Sequence, residues 1–527
     1  MRHWRIWLIT AIFVFGYTAL VVNIYNLQIK RGGYYLARAE SQSRNLDYFN
    51  SLRGNVYFKD RNNNLIPAAI NKEYSVIYGV PKEITDPAEA AALLSPILKQ
   101  PVDQIEAKFI KPDDLYELLL AKASSEEVAA VQNLNLPGVY IDNQRFRFYP
   151  FGKLASHLIG YVGPNDINGT FEGYYGIESR YEAALNKQEN VTLTIDRNIQ
   201  SQAEQILKNL VENFSASGGT VIVQEPKTGK ILTMANWPDF DPNNYSESPI
   251  KNFLNPAIQS VYEPGSVFKI LTMAAGVDSG RITPDTTYYD SGSVTINDKK
   301  IENWDKKAYG RATMTNVIEH SINTGAVFAE RQTGHDFFYN YILGFGFGSL
   351  TGIDLSGEVA GDLRNLKSSF RDINFATAAF GQGVSVTPLQ LINAFSAIAN
   401  KGVLMKPQIL DGTPSEELRR VILEETAGQI SAMMMSAVEK AEVASITGYE
   451  IAGKTGTAQV PDFKNGGYTE NFIHTYVGFA PVSNPKFTVL IKLDKPRGVT
   501  LAGATVVPAF RELVQFLLNY YNIPPDA

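Results

Sequence analysis

The residues from Ile6 to Ile24 constrain this chain most. They form an apolar run of about 19 residues, interrupted only by Thr10, Gly16, Tyr17, Thr18 and Asn23, long enough to cross a bilayer as a helix. Arg2, His3 and Arg5 precede the run and no small-residue cleavage site follows it, which points to an uncleaved signal anchor. The expectation is a cytoplasmic tail over residues 1–5, a transmembrane anchor over 6–24, and an extracytoplasmic remainder from about Leu27 onward. Lys30 and Arg31 beyond the run reduce the charge asymmetry, and the competing reading is a buried core helix at the start of the chain.

Everything after the anchor must fold by burial alone. The chain of 527 residues has no cysteine, so disulfides, thiolate catalysis and thiolate metal sites are excluded. With 44% hydrophobic and 11% aromatic residues it is neither disordered nor fibrous. A balance of 48 Lys+Arg against 54 Asp+Glu, net −6, argues against a nucleic-acid partner. The five histidines are scattered, with no H-E-x-x-H and no G-x-S-x-G, so a metalloprotease or an α/β-hydrolase lacks its parts.

What remains is a serine chemistry that needs no histidine. Ser266 stands three residues before Lys269, and a helix starting near Pro264 or Gly265 would put both on one face, where a neutral lysine can take the hydroxyl proton. The positive end of the helix dipole favours the alkoxide. On its own the pair also reads as a capped helix with an exposed lysine. Two further elements follow in order: Ser321-Ile322-Asn323, and Lys454-Thr455-Gly456-Thr457. S-x-x-K, S-x-N and K-T-G together form a serine acyl-transferase set. The same lysine also completes a phosphate-loop pattern, Gly448 to Thr455, but that pattern needs a helix next, and Gly456, Thr457 and Pro461 follow instead.

Local patterns set out the modules. Amphipathic spacing predicts helices at Pro87–Leu98, Pro112–Ala123 and Ser125–Leu134. Gly219–Glu225 and Lys230–Ala235 read as a hairpin around Pro226-Lys227-Thr228-Gly229, and His474–Ala480 and Lys486–Leu493 as two more strands. Val507–Tyr521 closes the chain at helical spacing. Strands from both ends of one module, with helices from its middle, predict an α+β fold: an antiparallel sheet flanked by helices.

The three elements resemble those of the penicillin-binding proteins. Arg53-Gly54-Asn55-Val56-Tyr57, Asp60-Arg61-Asn62, Arg147-Phe148-Tyr149-Pro150 and Gly176-Ile177-Glu178-Ser179-Arg180 are similar to the pedestal signatures of the class B members, although two residues near Phe58-Lys59 are extra and Asn63 stands where glycine is usual. The resemblance implies a pedestal, or dimerisation-like module, over 26–200 with an α-rich insertion at about 87–134, and a serine β-lactamase-like transpeptidase domain over 215–527. The charged residues Arg147, Glu178, Arg180 and Glu182 are expected to form salt links between modules.

For the site, the resemblance implies that Ser266 attacks the carbonyl between the two terminal D-alanines of a peptidoglycan stem peptide with Lys269 as base. Ser321 would relay a proton, and Asn323 would hold the donor amide while touching Lys269. Lys454 would supply positive charge; Thr455 and Thr457 would bind the substrate carboxylate. Gly456 would let the donor backbone lie against the strand, and the N–H groups of Ser266 and Thr457 would form the oxyanion hole. No cofactor or metal is expected. The implied ligands are stem peptides and β-lactams, and the implied partners a membrane glycan polymerase and division proteins. Tyr262-Glu263-Pro264-Gly265 and Asp239-Phe240-Asp241-Pro242-Asn243 lean toward the division or sporulation type over the elongation type. The rival functions are a β-lactam sensor or β-lactamase, and a noncatalytic scaffold.

Overall fold

The computed structural model describes residues 4–25, 52–111, 116–165, 171–367, 371–462 and 464–526. A helix of 22 residues, Trp4–Tyr25, leads the chain. Its large side chains Trp7, Phe13, Phe15 and Tyr17 are about three-quarters exposed, so it packs on no core. Among the described residues no helix is long and apolar enough to cross a membrane; Ile6, Ile9 and Ile12, which carry part of the apolar run, are outside the described side chains.

The pedestal is built on the 15-residue strand Leu65–Gly79. It pairs antiparallel with Val56–Lys59, Glu117–Ala123 and Val139–Phe148. Of the expected helices in the insertion, Pro87–Leu98 and Ser125–Leu134 form, each with a side-chain N-cap, Asp86 and Ser124. Pro112–Ala123 does not: residues 112–115 lie outside the description, and Glu117–Ala123 is a strand. Its Leu118-Leu119-Leu120 run is a short apolar stretch that periodicity cannot assign, and the open edge of Leu65–Gly79 decides it. Val102–Phe109 supplies a helix the sequence reading lacked.

One strand joins the two modules. Val191–Asp196 runs parallel to Val56–Lys59 in the pedestal sheet, and Asp196 caps the helix Arg197–Asn213 that packs on the second sheet. The chain therefore passes from one module into the next without a loop. The second sheet is fully antiparallel, in the order Ala452–Pro461, Tyr468–Ala480, Phe487–Asp494, Gly218–Gln224, Ile231–Trp237. Alternation along its strands feeds two cores. Val221, Val223, Val489 and Ile491 face helices Arg197–Asn213 and Val506–Tyr520, while Ile222, Val477 and Leu490 face the serine-bearing helix and Pro388–Ala399. Pro388–Ala399 is buried along its whole length and starts at a capping box between Thr387 and Gln390. The expected α+β architecture is observed, with the K-T-G strand at the sheet's edge.

The charged pedestal residues do something different from the linkage expected of them. Glu178, fully buried, takes Arg53 Nε at 2.8 Å on one oxygen and Arg147 Nε at 2.6 Å on the other, and Arg53 also reaches Glu182 at 2.6 Å. These bonds lie within the pedestal. Of the four residues expected to link the modules, Arg180 does so among the described residues, reaching Asp354 at 2.5 Å between half-exposed side chains, and Lys59 to Asp411 and Lys153 to Asp239 make further links.

Candidate active site

Ser266 sits on a single 3-10 turn, Gly265–Phe268, that runs directly into the α-helix Lys269–Asp278. The turn is possible because Gly265 adopts φ +61°, and a Cβ there would stand 3.1 Å from both Ala458 Cβ and the Thr457 carbonyl oxygen. Gly265 N–H donates to the Gly381 carbonyl at 3.1 Å, and Glu263 accepts from Gly383 N–H, so the Phe380–Gly383 loop braces the nucleophile's turn. The helix behind it is almost wholly buried, leaving Ser266 half-buried on a cleft of about 800 Å³.

Ser321 reaches the cleft by a strained turn. The helix Met314–Glu319 ends in a Schellman arrangement: Ile322 N–H donates to the Val317 carbonyl and Ser321 N–H to the Ile318 carbonyl. The left-handed position of that motif is normally glycine, yet Ser321 occupies it at φ +56°.

The third element arrives on the edge strand Ala452–Pro461. Lys269 Nζ donates to the Ser321 carbonyl at 2.5 Å and lies 3.1 Å from its Oγ, and Lys454 Nζ lies 3.2 Å from the same Oγ. Ser321's hydroxyl is thus shared by two lysines. Lys269 is fully buried and Lys454 nearly so, and among the described residues neither has a carboxylate partner. Burial, and then the charge of Lys454, push the Lys269 ammonium well below its ordinary range; burial lowers Lys454 to about 8.

The remaining expected residues fall in the same cleft with different contacts. Asn323 lines it, but its Nδ2 donates to the Glu302 carbonyl at 2.8 Å, and no hydrogen bond to Lys269 is present among the described residues. Thr455 and Thr457 line it as half-buried hydroxyls; Thr457 Oγ1 accepts from Ala502 N–H at 3.2 Å and keeps its own proton to donate. Gly456 has a different reason from the one expected: a Cβ there would meet the Pro264 carbonyl oxygen at 2.7 Å and Val267, so the glycine lets the strand close on the serine turn.

Sequence reasoning missed the walls. Trp304, Tyr309 and His320 line one side, with the His320 ring 5.0 Å from Tyr309 and Trp304 Nε1 donating to the His320 carbonyl. Phe472 and the Thr500–Gly503 loop line the other. These residues carry no motif, and their shared surface exists only after folding.

This geometry has close counterparts. The penicillin-binding protein transpeptidase domain family matches residues 219–515, and the penicillin-binding protein dimerisation domain matches residues 48–223. Stage V sporulation protein D of Bacillus subtilis is 32% identical over 89% of this chain and 78% of its own length. The peptidoglycan D,D-transpeptidase FtsI of Escherichia coli is 27% identical over 99% of this chain and 93% of its own. A crystal structure of a peptidoglycan synthetase from Bifidobacterium adolescentis superposes with a TM-score of 0.68 at 26% identity, covering 90% of this chain and 97% of that one. The chain belongs to the penicillin-binding proteins, and among them to class B, the members in which a dimerisation module precedes the transpeptidase. Within that class it falls with the division and sporulation type.

Proposed function

We propose that this chain is a peptidoglycan D,D-transpeptidase that cross-links stem peptides through an acyl-enzyme on Ser266 and is acylated there by β-lactams. The observation that carries the reading is the pair of buried lysines sharing the Ser321 hydroxyl beside the Ser266 turn. Burial favours loss of the Lys269 proton, and the amine can then accept the Ser266 proton as Oγ attacks the donor carbonyl. The Ser321 hydroxyl then passes a proton to the leaving D-alanine amine, which departs as the acyl-enzyme forms. A neighbouring stem's amine attacks the ester, loses its proton back along the same path, and frees Ser266. Lys454, the second lysine on Ser321, and the hydroxyls of Thr455 and Thr457 suit the donor's terminal carboxylate, and Asn323 the donor amide. The N–H groups of Ser266 and Thr457 serve as the oxyanion hole.

The organisation proposed around this site is a cytoplasmic tail over 1–5, an anchor over 6–24, a pedestal over 26–200 and a transpeptidase domain over 215–527. The apolar run Ile6–Ile24 in the sequence, together with the exposed side chains Trp7, Phe13, Phe15 and Tyr17, is what supports the anchor, with the N-terminus cytoplasmic and the catalytic domain outside. Septal synthesis beside a membrane glycan polymerase and division proteins is the setting we assign.

The test is acylation by a labelled penicillin followed by intact mass. A long-lived adduct mapped to Ser266 and absent in Ser266→Ala supports the reading. An adduct lost within seconds would make the chain a β-lactamase, and an inert Ser266 would make it a scaffold.

A further inference from the structure

A second cavity, about 300 Å³, opens where the pedestal meets the 3-10 segment Pro242–Glu247. Arg53, Lys122, Arg145 and Arg147 line it, and no carboxylate does. Asn243 stitches the two modules at its rim, accepting from Tyr149 N–H at 3.1 Å and donating to the Tyr149 carbonyl at 2.9 Å.

Three observations say that this concentration of charge is incomplete. Arg147 is 8% exposed; its Nε serves Glu178 and its Nη1 the Gly54 carbonyl, but its Nη2 has no hydrogen-bond partner among the described residues. A buried donor left without an acceptor is costly, so the position calls for one. Lys122 sits in a bulge: the pairing of Leu65–Gly79 with Glu117–Ala123 slips between Ser75↔Ala123 and Ile77↔Leu120, and Lys122 takes φ +56°. Bulges re-aim side chains, and here the ammonium turns over the rings of Tyr74 and Phe146, 5.7 Å from each. Finally, the charges do not balance. Arg53 and Arg147 face Glu178 and Glu182, whereas Lys122 and Arg145 form no ion pair among the described residues. Asp241 lies near enough to offset part of the Lys122 charge while its oxygens accept from Asn243 and Asn244, so Arg145 is the lining cation left without a nearby carboxylate partner among the described residues.

We propose that this junction cavity binds a phosphate group, held by the free Nη2 edge of Arg147 together with Lys122 and Arg145. One unpaired cation, a second only partly offset by Asp241, and one open guanidinium edge match a tetrahedral phosphate, with its several acceptor oxygens, better than a carboxylate. Occupation would tie the pedestal strands Glu117–Ala123 and Val139–Phe148 to the segment at the start of the transpeptidase sheet.

The experiment is titration calorimetry of the full chain in detergent with inorganic phosphate at constant ionic strength, chloride as the control, alongside the thermal unfolding midpoint. The expected result is saturable one-site binding and a rising midpoint. Lys122→Gln and Arg145→Gln, which leave the Arg53–Glu178–Arg147 bonds intact, should each weaken binding by about tenfold or more, with penicillin acylation of Ser266 unchanged as the sign of an intact fold. No saturable binding in the natural chain, or equal affinity in the double variant, overturns the proposal. Glycerophosphoglycerol, a soluble lipid-headgroup diester, separates the sources: competition by it assigns a headgroup phosphate, and binding of inorganic phosphate alone assigns a free one.

Discussion

The serine cleft and the pedestal junction both bury two cations, and they treat them in opposite ways. In the pedestal, Arg53 and Arg147 converge on the fully buried carboxylate of Glu178. In the cleft, Lys269 and Lys454 converge on a neutral hydroxyl. A guanidinium keeps its proton and demands a counter-charge, whereas a lysine amine can give its proton up when none is provided. The same burial therefore makes a structural rivet in one place and, in the function proposed above, a base in the other. The choice between arginine and lysine, and the presence or absence of one carboxylate, separates the two outcomes.

The largest expected effect breaks the cleft's side of that contrast. Lys269→Arg preserves positive charge but removes the ability to lose it, so Ser266 acylation by penicillin should fall by about 10⁴-fold. A loss under tenfold, in a variant with an unchanged unfolding midpoint, would remove Lys269 from the role of base. The converse change belongs to the pedestal. Glu178→Gln leaves two buried guanidiniums without their shared anion and should cost about 3–5 kcal/mol in denaturant unfolding. A cost below about 1 kcal/mol would mean that the pair is held by something other than that carboxylate.

A pH series sharpens the comparison without altering the nucleophile. Lys454 releases its proton at about 8 when folded, against about 10.5 when unfolded. Between those values the unfolded chain binds more protons, so stability rises with pH across that window, by up to about 3 kcal/mol from this group. Below about 8 the folded protein carries the full cost of a buried charge. Lys454→Met should flatten that part of the rise, and the slope that remains comes from the other shifted groups, Lys269, Lys108 and Lys122 among them. A curve identical to that of the natural chain would mean that Lys454 is not desolvated. The smallest effect concerns the strained turn: Ser321→Gly should gain about 1 kcal/mol in stability by relieving φ +56°, while acylation slows by about 10²-fold. Gain in both would make the hydroxyl dispensable.

Much of this was legible in the chain because motif spacing reports chemistry directly. Ser266 and Lys269 were readable as one face of a helical turn, and the strand assignments around Thr220, Met234, Val477 and Leu490 followed from turn residues and β-branched runs. Glu117–Ala123 was misread because three consecutive leucines carry no period. Asn323 was assigned a contact with Lys269 by analogy, but its amide instead holds the Glu302 carbonyl. The cleft walls, from Trp304 to Leu501, were invisible because surface shared between distant segments leaves no local pattern. The linking role given to Arg147, Glu178 and Glu182 failed for the same reason: charge shows in a sequence, but its partner does not.

By itself, then, the sequence determined the reaction class, the order of the three motif elements and the hydrophobic periods that build two cores, since each depends on residue type and short spacing. The tertiary structure alone decided that Ser321 would stand between two lysines, that Gly456 would serve the serine turn and that Lys122 would face a cationic cavity. Those outcomes depend on which elements meet, and a depressed lysine pKa exists only once folding has removed the water and withheld the counter-charge.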